Sequence, residues 1–117
     1  MTDKHRPKQD GQPLTEATFF ILLSVSQHPK HGYAMLKDVE TLSGGRIKFS
    51  TGTLYGAISR LLEQGWIEQI ENDQPLDSGR PRKDYALTDK GRSILNAEVS
   101  RLKSVLASAQ MRFGEEI

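Results

Sequence analysis

A helix-forming stretch that stops at a glycine and runs directly into a strand constrains this fold most. Ser50 and Thr51 can cap the free backbone N–H groups at its start, and Gly65 tolerates the left-handed conformation that ends many helices. Apolar residues recur between them at helical spacing, which indicates that one face packs inward. The inward residues are Leu54, Ile58, Leu61 and Leu62. The opposite face is left to solvent or a ligand and carries Thr53, Tyr55, Gly56, Ser59 and Arg60.

Two strands after this helix are predicted to pair as a hairpin. The first begins at Trp66, and the second contains Tyr85 and Leu87 in alternation with other residues. Alternation at 46–49 predicts a short third strand that closes the same sheet. The hairpin loop is rich in Gly, Pro, Asp and Ser, and the cations at its far end are Arg80, Arg82 and Lys83.

A helix with a small, polar outer face beside a hairpin with a basic tip has the geometry of a winged helix. Such a helix enters the major groove of DNA, and the hairpin touches the adjacent backbone. The expected fold class is therefore α+β, mostly helical, with a winged helix-turn-helix DNA-binding domain over 13–87 and a C-terminal dimerisation helix over 88–117.

Composition excludes several classes but does not identify a DNA-binding protein. The chain has 16 Lys and Arg against 15 Asp and Glu, so the positions of the cations carry the argument rather than the net charge of +1. There is no cysteine, which excludes disulfides and thiolate metal sites. No apolar run approaches the roughly 18 residues of a membrane span, and 1–12 lacks the apolar segment of a secretory signal. We expect a cytoplasmic protein with no membrane partner.

The polar segment 1–12 cannot bury enough apolar surface to order itself, so it is predicted to be a disordered arm. One interpretation is a frayed chain end. The other is an arm whose cations touch DNA phosphates; these cations are Lys4, Arg6 and Lys8.

Two helices are predicted before the capped helix. Pro13 and Thr15 mark the start of the first, and its unbroken apolar run at 19–23 is typical of a helix buried on most sides. We expect this helix to contribute to a subunit interface as well as to the core. The second helix is predicted from Tyr33 to about Leu42, with Tyr33 buried as a structural residue.

The last helix is predicted to start at Thr88, and its apolar residues step alternately by four and three. This is the a/d seam of a coiled coil. A helix over 88–113 would be roughly 35–40 Å long, longer than the domain it hangs from. The seam implies a partner, most simply the same helix of a second subunit, although the helix could instead fold back on its own domain. The seam residues are Leu95, Val99, Leu102, Leu106, Ala109 and Phe113.

The sequence contains no residue pattern typical of a catalytic site or a metal site. His5, His28 and His31 share no spacing typical of metal ligands. No nucleophile, base and orienting group are recognisable as a set. We therefore expect no metal, no cofactor and no enzymatic activity.

Three motifs, in order and at compatible spacing, resemble the PadR family of bacterial transcriptional regulators. His31–Tyr33 opens the second helix, and Ser50–Tyr55, with the Arg-Leu and Gly-Trp-Ile that follow, is similar to the family's recognition-helix signature. Arg82–Thr88 and Gly91 resemble the return strand of the wing and the start of the last helix. The resemblance covers nearly everything from 14 to about 106 and fits the short-tailed branch. It implies a homodimeric winged-helix repressor, often relieved by a small aromatic or drug-like ligand.

Candidate DNA contacts lie on the outer face of the capped helix and at the wing. Small side chains let a helix approach a groove closely, and free N-terminal amides attract phosphate. Capping explains two of the small residues but not Gly52 and Gly56, since glycine costs about 1 kcal/mol relative to alanine inside a helix. Tyr55 either contacts a base or phosphate or rests on the second helix. The full set is Lys48, Ser50, Thr51, Gly52, Thr53, Tyr55, Gly56, Ser59, Arg60, Arg80, Arg82 and Lys83.

Four aromatic residues are candidates for ligand binding. The resemblance to short family members implies a dimer with an aromatic-lined cavity between its subunits. Trp66 also fits a core anchor under the hairpin. The candidates are Phe19, Phe20, Trp66 and Phe113.

The expected function is sequence-specific regulation of transcription, as a repressor, by a homodimer on double-stranded DNA. A two-fold dimer prefers an inverted-repeat operator with half-sites roughly 34–36 Å apart. The alternative is a winged-helix module that binds a small molecule or a protein and does not bind DNA.

Overall fold

The computed structural model describes residues 12–72, 79 and 82–114, and within them the chain forms four helices and a small antiparallel sheet. The predicted α+β class, mostly helical, is confirmed. The expected N-terminal arm and the wing residue Arg80 lie outside the described residues. The helices are α1 (Glu16–Ser24), α2 (Gly32–Leu42), α3 (Thr51–Gln64) and α4 (Asp89–Phe113), and the strands are β1 (Lys30–His31), β2 (Ile67–Asn72) and β3 (Arg82–Leu87).

Local capping sets where each of these helices begins. In every case a side chain at the residue before the helix accepts a hydrogen bond from a backbone N–H three residues further on, which satisfies one donor without an intrahelical partner. At the other end of α3, Gly65 adopts φ 77°, the left-handed conformation that its sequence position predicts. The capping residues are Thr15, His31, Ser50 and Thr88.

The sheet has the order β1-β3-β2, with both pairs antiparallel. The third strand is Lys30–His31, whose residues pair with Tyr85 and Asp84 of β3. The prediction of a strand at 46–49 is therefore wrong. That segment is held against the end of α2 instead, since the Ile47 backbone N–H donates to Ser43 Oγ at 2.9 Å. In this loop Ile47 and Phe49 are half-buried and Arg46 and Lys48 are exposed, so polar and apolar residues alternate as they would in a strand.

The core lies between the helices and the inner side of the sheet. Its largest fully buried side chains include Trp66, Met35 and Ile58. On α1, Ile21 and Leu22 are fully buried, whereas the side chains at 19, 20 and 23 are only partly buried against the core. The expectation that α1 is covered on most sides thus holds only in part within one subunit.

Tyr33 is 63% exposed, so its prediction as a buried residue is wrong. The inward positions of α2 are Met35 and Val39, one turn apart, and this spacing turns Tyr33 outward. There its ring lies under the ammonium group of Lys37, 5.7 Å from the centroid. A helix with several apolar residues offers more than one inward face, and packing against α1 and α3 selects between them.

Helix α4 is divided into an anchored part and an exposed part. Ile94, Leu95 and Glu98 are buried against the domain, whereas Leu106 is 46% exposed and Phe113 is 78% exposed. Leu95 therefore belongs to the core of its own domain, although the periodicity placed it in the seam. Glu98 accepts two hydrogen bonds from Arg101, at 2.7 and 2.9 Å, and these raise the pKa of the guanidinium.

No helix in the described part of the chain combines the length and the apolar character that crossing a bilayer requires.

Candidate nucleic-acid interface

Helix α3 presents one side to the core and the other to solvent. Leu54, Ile58 and Leu61 are buried, as predicted, together with Ala57. The predicted DNA-binding residues of the helix are all on the uncovered side, and we refer to five of them as the outer face of α3. The outer face consists of Gly52, Thr53, Gly56, Ser59 and Arg60, of which Gly56 alone is half-buried.

The two glycines of the outer face have no structural role that the chain itself explains. Neither has a positive φ, so neither is needed for a turn. A Cβ built on Gly52 would meet nothing within 4 Å, and one on Gly56 would meet only the Arg60 guanidinium at 3.9 Å. Glycine inside a helix costs roughly 0.5–1 kcal/mol relative to alanine. The helix has this cost at both Gly52 and Gly56, which lie one turn apart on the same face.

Tyr55 rests on the start of α2, as one of the two interpretations of its position expected. Its hydroxyl and ring lie so close to Gly32 that a Cβ there would collide with them. The side chain is nonetheless 43% exposed, so part of the ring faces solvent beside the outer face. Glycine at position 32 makes room for the Tyr55 ring in this position. The sequence signal was the His31–Tyr33 motif, whose physical reason was not apparent without the fold.

At the wing, the two described cations differ in their surroundings. Arg82 Nε lies 2.9 Å from Asp84 Oδ1, and Asp84 is itself buried, so the Arg82 guanidinium is held against the sheet. Lys83 is exposed and forms no ion pair with any residue of the described ranges. Lys48, in the linker before α3, has the same properties. Among the described residues, Lys83 and Lys48 are thus exposed cations without an ion pair, whereas Arg82 also supports the strand.

A compact joint connects the end of α3 to the start of α4. Thr88 Oγ1 donates to the Gly65 carbonyl at 2.6 Å and accepts from the Gly91 backbone N–H at 3.0 Å. The Thr88 backbone N–H donates to the Trp66 carbonyl at 3.1 Å. Gly91 packs so tightly on that carbonyl that a Cβ would overlap it. We call Gly65, Trp66, Thr88 and Gly91 the α3–α4 joint.

The four aromatic ligand candidates occupy different environments. Trp66 is 1% exposed and is part of the core, as the alternative interpretation expected. Phe19 and Phe20 are half-buried on α1, where their rings meet edge to face with centroids 5.5 Å apart. Phe113 is exposed in the last turn of α4. Trp66 Nε1 is buried and has no hydrogen-bond partner among the described residues.

Among the residues that the structure describes, no group of three His, Asp or Glu side chains is arranged to hold a metal ion. His31 has a different role, since its Nδ1 caps α2 by accepting from the Ala34 backbone N–H at 3.3 Å.

Comparison with solved structures finds the same architecture in transcription regulators. A PadR family transcription regulator from Clostridium difficile R20291 aligns with a TM-score of 0.68 and 19% identity, over 84% of this chain and 98% of that chain. A PadR-like transcriptional regulator from Bacillus cereus aligns with a TM-score of 0.63 and 23% identity, over 84% and 92%. A PadR family transcriptional regulator from Eggerthella lenta DSM 2243 aligns with a TM-score of 0.60 and 29% identity, over 86% and 82%.

Comparison by sequence gives a relative and a family. A 37.1 kDa protein in transposon TN4556 of Streptomyces fradiae is 34% identical over 83 residues, which cover 71% of this chain and 22% of that protein. The chain thus spans about a fifth of the length of that relative. The model of the transcriptional regulator PadR-like family matches residues 21–97, from α1 into the anchored part of α4. Its capped α3, its winged sheet and its motifs agree with this match, and the chain belongs to the PadR-like family of transcriptional regulators.

Proposed function

We propose that this protein is a homodimeric repressor that reads an inverted-repeat operator. The outer face of α3 enters the major groove of each half-site, and the wing touches the flanking phosphates. The exposed part of α4 joins the two subunits and sets the distance between the two copies of α3.

The observation that carries this proposal is the open space above Gly52 and Gly56. Nothing in the chain's own packing or backbone conformation requires glycine there. A helix that must approach another molecule closely benefits from positions without a Cβ. Gly52 also lies in the first turn of α3, where free backbone amides favour a phosphate. A DNA groove satisfies both requirements, whereas plain solvent satisfies neither.

The distribution of charge supports the same partner. Lys48, Arg60 and Lys83 lie before, on and beyond α3, and none of them forms an ion pair with a described residue. Cations that flank a close-approach surface position a protein on the phosphate backbone without reading sequence. Base recognition then falls to the polar side chains of the outer face, Thr53 and Ser59, and to the exposed part of Tyr55.

The dimer proposal rests on the exposed part of α4. Its uncovered apolar side chains form a continuous strip on a helix of 25 residues. A strip of this kind is unusual on a monomer and typical of an interface. The half-buried rings of Phe19 and Phe20 offer a further surface that a second α4 can cover, as the apolar run of α1 led us to expect. The strip consists of Leu102, Val105, Leu106 and Phe113.

Relief of repression by a ligand would act through the α3–α4 joint. A ligand that favours one angle between subunits must shift α4, because α4 carries the interface. The two hydrogen bonds that Thr88 donates to the Gly65 and Trp66 carbonyls would transmit such a shift to the end of α3. Two recognition helices moved in this way no longer match both half-sites at once.

A mobility-shift titration with the DNA upstream of the chain's own gene tests the proposal. We expect a specific complex whose log affinity falls linearly with log salt, with a slope of about 0.9 per phosphate contact. Retention of a dimer without any salt-dependent duplex binding would instead indicate the protein-interaction or small-molecule module.

A further inference from the structure

We propose that His31 is a proton-sensitive helix cap, through which the stability of the domain falls as the pH falls from 8 toward 5. The imidazole Nδ1 accepts a hydrogen bond from the Ala34 backbone N–H at 3.3 Å. The other three helices in the described part of the chain are capped by threonine or serine hydroxyls. Those hydroxyls do not titrate in this range, whereas histidine is the side chain whose charge ordinarily changes between pH 5 and 8.

The hydrogen bond at the start of α2 requires the neutral ring. A neutral imidazole has one acceptor nitrogen, but after protonation both ring nitrogens carry a hydrogen and act as donors. Nδ1 and the Ala34 N–H would then be two donors that face each other. The new positive charge would also lie at the N-terminus of α2, where the helix dipole disfavours a cation. The first turn of α2 contains no acidic residue that could compensate for this charge.

The charged groups around His31 are already paired. Asp84 lies opposite His31 on β3 and is bonded to Arg82. Lys30, the other residue of β1, is bonded to Asp38 of α2. Both carboxylates thus have a cation of their own before His31 gains a charge, so neither strongly favours the protonated ring.

Two tyrosines complete the surroundings of the cap. Tyr55 of α3 rests on Gly32, the residue after His31, and Tyr85 of β3 lies opposite Lys30. Burial, and to a smaller extent the nearby Tyr55, raises the pKa of Tyr85 above its ordinary value. The Tyr85 hydroxyl therefore stays neutral throughout this range, and the change of charge at the start of α2 is that of His31.

The direction of the effect follows from proton binding. In the unfolded chain the imidazole takes up a proton freely, whereas in the folded chain it loses a hydrogen bond when it does so. The unfolded state thus binds more protons, and stability rises with pH over this range. Loss of an N-cap typically changes the equilibrium constant of unfolding by about threefold to thirtyfold.

The inference goes beyond the proposed function, because the effect on stability needs neither DNA nor a second subunit. A consequence for DNA binding rests on the proposed function. Gly32 supports the Tyr55 ring beside the outer face of α3. A first turn of α2 that opens in acid removes this support, so operator affinity should fall together with stability.

Urea denaturation of the full chain without DNA, at pH 8 and at pH 5, tests the cap. Asparagine is among the best N-cap residues and does not titrate, so His31→Asn should retain its cap at both values. We expect the unfolding constant of the parent to rise about tenfold more between the two values than that of His31→Asn. His28→Asn is the matched control. It replaces an exposed histidine whose Nδ1 lies 3.1 Å from the Pro29 carbonyl and caps no helix, and it should keep the pH dependence of the parent.

A second measurement needs no substitution. In the ¹⁵N-labelled parent, the Ala34 amide resonance should shift as the pH is lowered. The Thr53 amide has the same position in α3 but is bonded to Ser50 Oγ at 3.1 Å, so its resonance should shift far less. Equal pH dependence in the parent and His31→Asn, a parent that gains stability in acid, or an Ala34 resonance that does not respond would overturn the proposal. Absence of DNA binding at every pH would contradict the proposed function alone, since neither measurement contains DNA.

Discussion

The Thr88 hydroxyl donates a 2.6 Å hydrogen bond to the Gly65 carbonyl, across 23 residues of sequence. Gly65 is the C-cap of α3, the helix proposed to read DNA, and Thr88 is the N-cap of α4, the helix proposed to join the subunits. One side chain therefore touches both elements. Any rotation of α4 at its base must either carry the end of α3 with it or break this bond.

Thr88→Val tests this contact. The valine has nearly the same shape but lacks the hydroxyl, so the Gly65 carbonyl loses its donor and the Gly91 N–H loses its acceptor. We expect a loss of about 1–2 kcal/mol in the free energy of unfolding, as for other N-cap replacements, measured by urea denaturation. Thr88→Ser keeps the hydroxyl and should be close to the parent; equal losses in the two variants would contradict the account.

Gly91→Ala should destabilise the protein more than Gly32→Ala. At Gly91 the added methyl overlaps the backbone carbonyl of Trp66, which cannot move without shifting the joint. At Gly32 it meets the end of the Tyr55 side chain, which can swing into solvent. We expect a loss of about 1–3 kcal/mol at Gly91, typical of overpacking, and a smaller loss at Gly32. Thermal and urea unfolding of both variants measure the difference.

Gly52→Ala should separate stability from DNA binding. Space is open at this position, so the methyl should raise the free energy of unfolding by up to about 0.5–1 kcal/mol. The same methyl enters the surface proposed to face the groove and should weaken operator binding several-fold. Gly56→Ala should behave alike. A more stable variant with unchanged operator affinity would remove the main support for the DNA proposal.

Lys83→Ala and Lys48→Ala should weaken DNA binding without regard to sequence. Each side chain is exposed and available to a phosphate, so each loss should reduce the salt-dependence slope by about 0.9. Affinities for operator and unrelated duplex, measured by fluorescence anisotropy over a salt series, should fall together. Lys103→Ala, on the exposed part of α4, is the matched control. A slope that stays constant in Lys83→Ala would exclude the wing from the interface.

Leu106→Lys should separate the subunits. Leu106 is largely uncovered in one chain, so the lysine should leave each folded subunit intact while placing a charge in the proposed interface. Analytical ultracentrifugation should show a monomer at concentrations where the parent is a dimer. Ser104→Lys adds the same charge on the opposite side of α4 from the strip and should remain dimeric. A dimeric Leu106→Lys protein would require a different interface.

Sequence was informative wherever the cause of a structure is local. The Ser50 cap, the left-handed Gly65 and the start of α4 at Thr88 depend on residues within one turn, and all were predicted correctly. The inward face of α3 followed from spacing alone. Site residues at these positions could be placed on the outer face before the fold was known.

Predictions failed where distant contacts decide between local alternatives. Nothing near Lys30–His31 identifies a strand, because its two residues are ordered by pairing with β3. The spacing of apolar residues in α2 allowed Tyr33 to face either the core or solvent. In the fold Met35 occupies the inner position, and Tyr33 faces solvent. The close contact between Gly32 and Tyr55 joins residues 23 positions apart and exists only in the folded chain.

The uncovered strip on α4 has a consequence for gene control. If α4 joins the subunits as proposed, a subunit must bind a second copy through Leu102, Val105 and Leu106 before it can occupy two half-sites. When dimers are scarce, promoter occupancy then rises with the square of the cellular concentration of the polypeptide. A modest change in its synthesis or degradation would switch transcription over a narrower range than a monomeric regulator permits.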